Sequence, residues 1–293
     1  MHALALIVLI TAACGRVGFA VHDGTDGGGD DGATIDACEA ADWSSTITPL
    51  ANLSVDGAED WEPAVSPQGT TIVFASYRAG VGDSQLFVAT RASPDDDFGP
   101  PEVIAGFGAV AGDTVFGPAW SIDGSILYFS NDSGSHEADY LGGTSFGPSR
   151  SSELPGFSVV FAGPDDVYAT NQFVIDDYDL EHWTRVGAQW VEQPLPAAYR
   201  RSGMYENDGW PGFDRGRRQL YFEHEVNTEA FIVRVQLDQS GAVPATFDAQ
   251  ELAFLGNDLG DPDLSPDGLR MYVSSRRREG TDNDIYMFER ACR

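Results

Sequence analysis

From residue 44 onward, apolar runs of four to six residues alternate with clusters of Gly, Pro, Asp and Ser, the pattern of many short strands joined by tight turns. A twelve-residue phrase recurs without a gap: PAVSPQGTTIVF from Pro63, PAWSIDGSILYF from Pro118, PGFDRGRRQLYF from Pro211 and PDLSPDGLRMYV from Pro262. The separations are 55, 93 and 51 residues, so the long interval holds two units and predicts a degenerate copy near Gly163-Pro164-Asp165-Asp166. In the first unit, Pro63 to Val65 reads as a strand and Ser66-Pro67-Gln68-Gly69 as a tight turn. Further strands are expected at Ile72 to Ser76, Gln85 to Thr90 and Glu102 to Ala105, the last after Phe98-Gly99-Pro100, a phrase repeated as Phe146-Gly147-Pro148.

Four antiparallel strands per unit, repeated around an axis, predict an all-β fold: a single β-propeller over residues 44–293 with five four-stranded blades. Six blades, the alternative, would need units of about 42 residues, shorter than the observed spacing. The last unit ends near Arg290 after its third strand, whereas Ile47 to Leu50 with Asn52 forms a lone strand before the first unit. That strand is expected to complete the last blade, so that the ring is closed by the N-terminal strand.

Particular residues add a family resemblance. Ser265-Pro266-Asp267-Gly268, Met271-Tyr272-Val273-Ser274-Ser275, Arg277 and Asp284-Ile285-Tyr286 resemble the WD-like propeller repeat of TolB-type periplasmic proteins. The first unit matches through Ser66, Pro67, Gly69, Phe74, Ser76, Arg78 and Leu86-Phe87, with Gln85 in place of the acidic residue. The second keeps Asp123-Gly124 but has Ser133 where the Arg belongs, and the third retains Pro164-Asp165 and Asp179-Leu180. The shared Arg and Asp are expected to pair across a hairpin, Arg277 with Asp284 and Arg78 with Asp83. Such repeats serve binding, scaffolding and enzyme gating alike, so the resemblance speaks to fold.

Composition narrows the partners. A net charge of -29, from 17 basic and 46 acidic side chains, repels phosphate backbones and anionic lipid, so no nucleic acid partner is expected and the membrane is reached only through an anchor. The acidity also suits a solvated, monomeric protein. Residues Ala3 to Ala13 form an apolar run of signal-peptide length, giving a leader over 1–13. Thr11-Ala12-Ala13-Cys14 resembles the bacterial lipobox, with Thr11 where that motif prefers Leu, which implies lipidation at Cys14 and an outer-membrane lipoprotein of the cell envelope. Residues 14–43, rich in Gly and Asp, then read as a flexible tether. Cys38 and Cys292 bracket the repeats, and in an oxidising compartment the pair is expected to form a disulfide.

Catalytic signatures are scarce. Gly143-Thr144-Ser145-Phe146-Gly147 has the spacing of a nucleophile elbow but leads into the repeated Phe-Gly-Pro phrase and not into a helix. His224-Glu225 lacks the second His of a zinc-protease helix, and His136 and His182 have no partners at ligand spacing. No catalytic residue, metal site or cofactor is expected. One constellation remains: Asp60, Glu62, Asp113, Asp208, Asp258 and Asp261 stand at the start of the first strand of four units, with Trp61 and Trp210 beside them. The first strand of a propeller blade lines the channel, so these residues mark a channel mouth for an envelope protein, a peptide or a glycan. The leading expectation is a non-catalytic binding or scaffold module, and the alternative is a glycoside hydrolase using the mouth carboxylates. Mass spectrometry with and without reductant checks the Cys38 to Cys292 bridge, for which a gain of two protons on reduction is expected.

Overall fold

The structure, a computed structural model, describes residues 42–55, 57–78, 83–107, 114–174, 177–199, 206–227, 229–239, 241–248, 252–256, 258–275 and 282–290. The leader, residues 14–41 of the tether with Cys14 and Cys38, and Cys292, Asp113 and Arg277 lie outside the described residues, whereas Trp43, expected in the tether, is buried and opens the first strand. Among the described residues no helix is long and apolar enough to cross a membrane.

Among the described residues the first strand is β1 (Trp43–Pro49), and the strands form five antiparallel sheets. Blade 1 holds β2 (Asp60–Val65), β3 (Thr71–Ser76), β4 (Gln85–Thr90) and β5 (Glu102–Val103). Blade 2 holds β6 (Val115–Trp120), β7 (Ile126–Asn131), β8 (Gly134–Gly142), β9 (Ser145–Phe146) and β10 (Arg150–Ser151). In blade 3, the degenerate copy, are β11 (Phe157–Gly163), β12 (Asp166–Val174), β13 (Asp177–Val186) and β14 (Gln189–Gln193). Blade 4 has β15 (Glu206–Asp214), β16 (Gln219–Val226) and β17 (Glu229–Gln236). Blade 5 has β18 (Leu259–Leu264), β19 (Arg270–Ser275) and β20 (Asp284–Arg290), and β1 pairs with β20 at its edge.

The expected five uniform four-stranded blades closed by the N-terminal strand are corrected in two respects. Blade 4 has three strands among the described residues and blade 2 has five. No sheet is closed by strands: all five are open, and β1 pairs with β20 alone. Neighbouring blades meet mainly through side chains, with backbone bonds from the Asp60 N–H to the Asn283 carbonyl at 2.8 Å and from the Val115 N–H to the Ser84 carbonyl at 3.1 Å. Five hydrophobic clusters occupy the five junctions, exemplified by Val88 with Leu127, Ala119 with Phe161, Tyr168 with Phe222, Tyr221 with Met271, and Phe74 with Tyr272. The last of these joins blade 5 to blade 1, and the backbone N–H of Val65 donates across the same junction to Asp263 Oδ2 at 2.6 Å. Packed on both faces, middle strands read as continuous apolar runs, and β3 and β19 are buried at every position.

The repeated phrase encodes two local devices. In Ser66 to Gly69 the Gly69 N–H donates to the Ser66 carbonyl at 2.7 Å and the Thr71 N–H to Ser66 Oγ at 3.1 Å, a serine-anchored turn repeated at Ser121 and Ser265. The leading proline marks a bulge. Strand pairing slips between Trp61 and Ala64, Phe116 and Ala119, Phe157 and Val160, Gly209 and Gly212, and Gly260 and Asp263. At each slip one residue has positive φ: Glu62, Gly117, Ser158, Trp210 and Asp261. Proline follows four of the five, and because it has no N–H the bulge forfeits no ladder donor there. The inner strands therefore start earlier than Pro63 and its equivalents, with proline inside them.

Arg78 does not pair with Asp83. Its guanidinium bonds Asp60 at 2.6 Å and the Leu53 carbonyl, and stacks against Phe74 and Phe87. Ser145 lies in the short hairpin partner of β8, with no strand-to-helix turn. At the axis the inner strands of blades 4 and 5 approach so closely that a Cβ on Gly212 would fall 2.1 Å from the Pro262 carbonyl oxygen. Gly212→Ala is therefore expected to lower unfolding stability by about 1–3 kcal/mol in denaturant melts, since backbone must move against backbone.

Candidate functional site

The five bulges aim their left-handed residues at the channel axis, and Glu62 gathers them. Its carboxylate accepts from the Gly117 N–H of blade 2 at 2.6 Å, Ser158 Oγ of blade 3 at 2.9 Å and Trp210 Nε1 of blade 4 at 2.8 Å. Its own N–H donates to Asp261 Oδ2 of blade 5 at 3.2 Å, and Asp261 also accepts from Ser274 Oγ. One residue of blade 1 thus reaches every other blade, blades 2 to 4 through its side chain and blade 5 through its backbone N–H. A Cβ on Gly117 would lie 2.8 Å from Ser158 N, so the close approach of blades 2 and 3 requires glycine at that bulge.

This ring divides the channel. On one side opens a cavity of about 550 Å³, and on the other a much smaller space of about 60 Å³ is lined by residues that include Asp263 and Arg215. Part of the large cavity's wall is aromatic: Phe116 meets Phe157 edge-on at 5.6 Å, Phe157 meets Tyr178 at 6.0 Å, and Tyr178 leans on Trp210 at 4.9 Å. Trp61 adds another face, edge-on to Tyr77 at 5.1 Å, and its buried indole N–H has no partner among the described residues. The carboxylates of Glu62, Asp132, Glu223, Glu225, Asp258 and Asp261 line the same space.

Burial sets the electrostatics. It pushes the Glu62 carboxyl up to about 7, helped by the Asp261 charge and opposed by the Gly117, Ser158 and Trp210 donors. Asp261 is raised by burial, against the bonds from Ser274 and the Glu62 N–H. Glu223 is raised well above the ordinary carboxylate range, by burial first and then by the charges of Asp261 and Glu225. Its carboxyl lies against the backbone of Gly260, where a Cβ would meet Glu223 Oε2 at 2.2 Å. Across the ring, burial also lifts Asp263 to about 7, opposed by the Val65 and Leu264 N–H groups and by Arg215.

Five of the residues expected at the mouth line this cavity: Trp61, Glu62, Trp210, Asp258 and Asp261. Asp60 and Asp208, expected there too, are buried away from it. Asp60 is held by Arg78, and Asp208 accepts from His224 Nδ1 at 2.6 Å. Both lie two residues before a left-handed position, on strand faces turned from the cavity. Sequence reasoning missed Glu223 and Glu225, along with Phe116, Phe157 and Tyr178. The alternation of Glu223-His224-Glu225 on β16 was the available signal: it turns both glutamates to the cavity and the histidine toward Asp208. Among the described residues no three His, Cys, Asp or Glu side chains are grouped to hold a metal ion.

No protein-family profile matches the chain, and no curated protein matches it. Solved structures of similar fold include the catalytic domain of a GH62 α-L-arabinofuranosidase from Coprinopsis cinerea, 11% identical with a TM-score of 0.56 over 86% of this chain and 98% of that one. TolB from Acinetobacter baumannii is 13% identical with a TM-score of 0.46 over 79% of this chain, which spans only 54% of that protein. Oligogalacturonate lyase from Vibrio parahaemolyticus is 9% identical with a TM-score of 0.41 over 83% of this chain and 93% of that one. The likeness is one of fold, that of a five-bladed propeller. It does not choose between a binding module and a carbohydrate-active enzyme.

The raised carboxyls fix a pH response. The folded state holds a proton on Asp263 between its ordinary value of 3.8 and about 7, and on Glu62 between 4.5 and about 7, where the unfolded chain has released it. The stabilisation from these groups is complete below the lower values and is lost as pH rises through about 7. Over pH 5 to 8 thermal melting is expected to fall as pH rises, with the loss levelling off above about pH 7. Asp263→Asn, whose amide oxygen still accepts from Val65, should flatten that fall.

Proposed function

We propose that the chain is a carbohydrate-active propeller whose channel-mouth cavity takes a sugar residue and cleaves a glycosidic bond. The observation that carries this reading is the joining of aromatic faces and carboxyls of unequal proton affinity in one cavity of about 550 Å³. Sugar C–H groups carry partial positive charge and suit the negative faces of aromatic rings, while carboxylates accept from the hydroxyls. Glu223, whose proton is retained by burial and by the charges of Asp261 and Glu225, is the group assigned to protonate the leaving oxygen. Glu225 lies two residues along β16, on the same face with its Cβ about 6.6 Å away, and is the carboxylate assigned to the second role. The fold is compatible with this chemistry, since a similar one serves the arabinofuranosidase.

A second reading, a non-catalytic binding module, draws support from Glu62 and Asp261, whose carboxylates are engaged in holding blades together. Turnover separates the two. On a panel of glycosides and polysaccharides, hydrolysis is expected that Glu223→Gln reduces by at least about 100-fold while ligand binding persists. Binding with no turnover on any member would support the second reading and overturn the first.

A further inference from the structure

The large cavity has walls from every blade and a closed floor. Trp61 of blade 1, Phe116 of blade 2, Phe157 of blade 3, Trp210 of blade 4 and Gly260 of blade 5 all line it, so it is encircled and is not a groove across the face of the ring. Its floor is the Glu62 carboxyl with the donors that blades 2, 3 and 4 bring to it. Backbone is crowded at that level: a Cβ on Gly117 would lie 2.8 Å from Ser158 N, one on Gly212 would lie 2.1 Å from the Pro262 carbonyl oxygen, and the space beyond is only about 60 Å³. The opening is at the other end, where Asp132 and Asp258 are exposed while Leu259 and Gly260 are buried. The wall also has two kinds of side. The residue before the left-handed position is aromatic in blades 1 to 3, as Trp61, Phe116 and Phe157, and glycine in blades 4 and 5, as Gly209 and Gly260. Gly260 leaves the room that the Glu223 carboxyl fills, since a Cβ there would meet Glu223 Oε2 at 2.2 Å.

We propose that the cavity is an exo-acting site: it admits only the terminal sugar of a glycan, at a chain end or on a one-sugar branch, and releases it as a monosaccharide. This rests on the carbohydrate reading above and narrows it to a substrate class. A sugar inside a chain carries linkages leading away on two sides and needs two exits, whereas a pocket closed at its floor and walled by five blades offers one. A terminal sugar lays its C–H face on the aromatic side, and its single glycosidic oxygen is left for Glu223. The buried indole N–H of Trp61, without a partner among the described residues, donates to a sugar hydroxyl oxygen. The bond between the anomeric carbon and the glycosidic oxygen breaks as Glu223 protonates that oxygen. Water adds its hydroxyl to the carbon, Glu225 takes the proton that water gives up, and exchange with solvent restores both carboxyls.

The test follows the first products that the full chain releases from linear pentasaccharides of arabinose, xylose, galactose and glucose, and from branched arabinan and galactomannan. On a susceptible pentasaccharide, monosaccharide and tetrasaccharide are expected to exceed disaccharide and trisaccharide by at least about ten-fold. On a susceptible polymer, monosaccharide is expected to appear while viscosity holds. Glu223→Gln should abolish either release, which ties it to this cavity. Disaccharide and trisaccharide appearing first, or a polymer losing viscosity before monosaccharide accumulates, would overturn the exo-acting inference and leave the carbohydrate reading standing. Release that Glu223→Gln leaves unchanged, or no hydrolysis of any probe, would overturn both.

Discussion

Five inner strands converge on the axis of this ring, and their polar backbone must find partners where there is little room for water. Glu62 satisfies one of those backbone donors, the Gly117 N–H, together with two side-chain donors. Its carboxylate takes donors from blades 2, 3 and 4, and its N–H reaches Asp261 on blade 5. The geometry works because each inner strand bulges at the same place, turning one residue into the left-handed region and toward the axis. Four of those residues are not glycine, and each non-glycine costs about 1–2 kcal/mol. The three hydrogen bonds to the Glu62 carboxyl, about 0.5–1.5 kcal/mol each, offset part of that cost. They also explain why the ring comes together at one carboxylate and not at an apolar plug.

The arrangement at the axis shapes everything outward from it. Each blade is an open sheet that cannot bury both faces alone, so the five junction clusters provide the adhesion between them. Blades 5 and 1 are therefore joined by side-chain packing together with the bonds from the Asp60 N–H to the Asn283 carbonyl and from the Val65 N–H to Asp263, and β1 pairs along one edge of blade 5. Arg290 near the end of β20 reinforces the neighbouring junction, stacking over Trp43 while donating to Gln219 and Tyr221 of blade 4. The same ring forms the floor of the large cavity. The groups that hold the blades together thus also polarise the candidate site, and Asp261 serves both purposes.

Much of the fold was legible because its signals are local and repeated. Serine-anchored turns, apolar strand runs and the interval between copies placed five units, including the degenerate one at Gly163 to Asp166. The strand count of blade 4 was not legible, because a strand at a blade's edge is determined by what pairs with it. In the candidate site, Trp61, Glu62, Trp210, Asp258 and Asp261 were visible beside a repeated proline. Asp60 and Asp208 look the same in sequence, and only their position two residues before the bulge turns them to Arg78 and His224.

By itself the sequence determined the local grammar: where chains turn, which runs are strands, how many units repeat, and that proline stands at one fixed place in most of them. Those properties depend on residues a few positions apart. Tertiary structure alone decided which carboxylates share a cavity, which are neutralised by arginine, and that Glu62 joins all the blades. The physical reason is that burial and proximity raise the Glu62, Glu223 and Asp261 carboxyls, and both arise only when strands some 50 to 200 residues apart are brought to one axis.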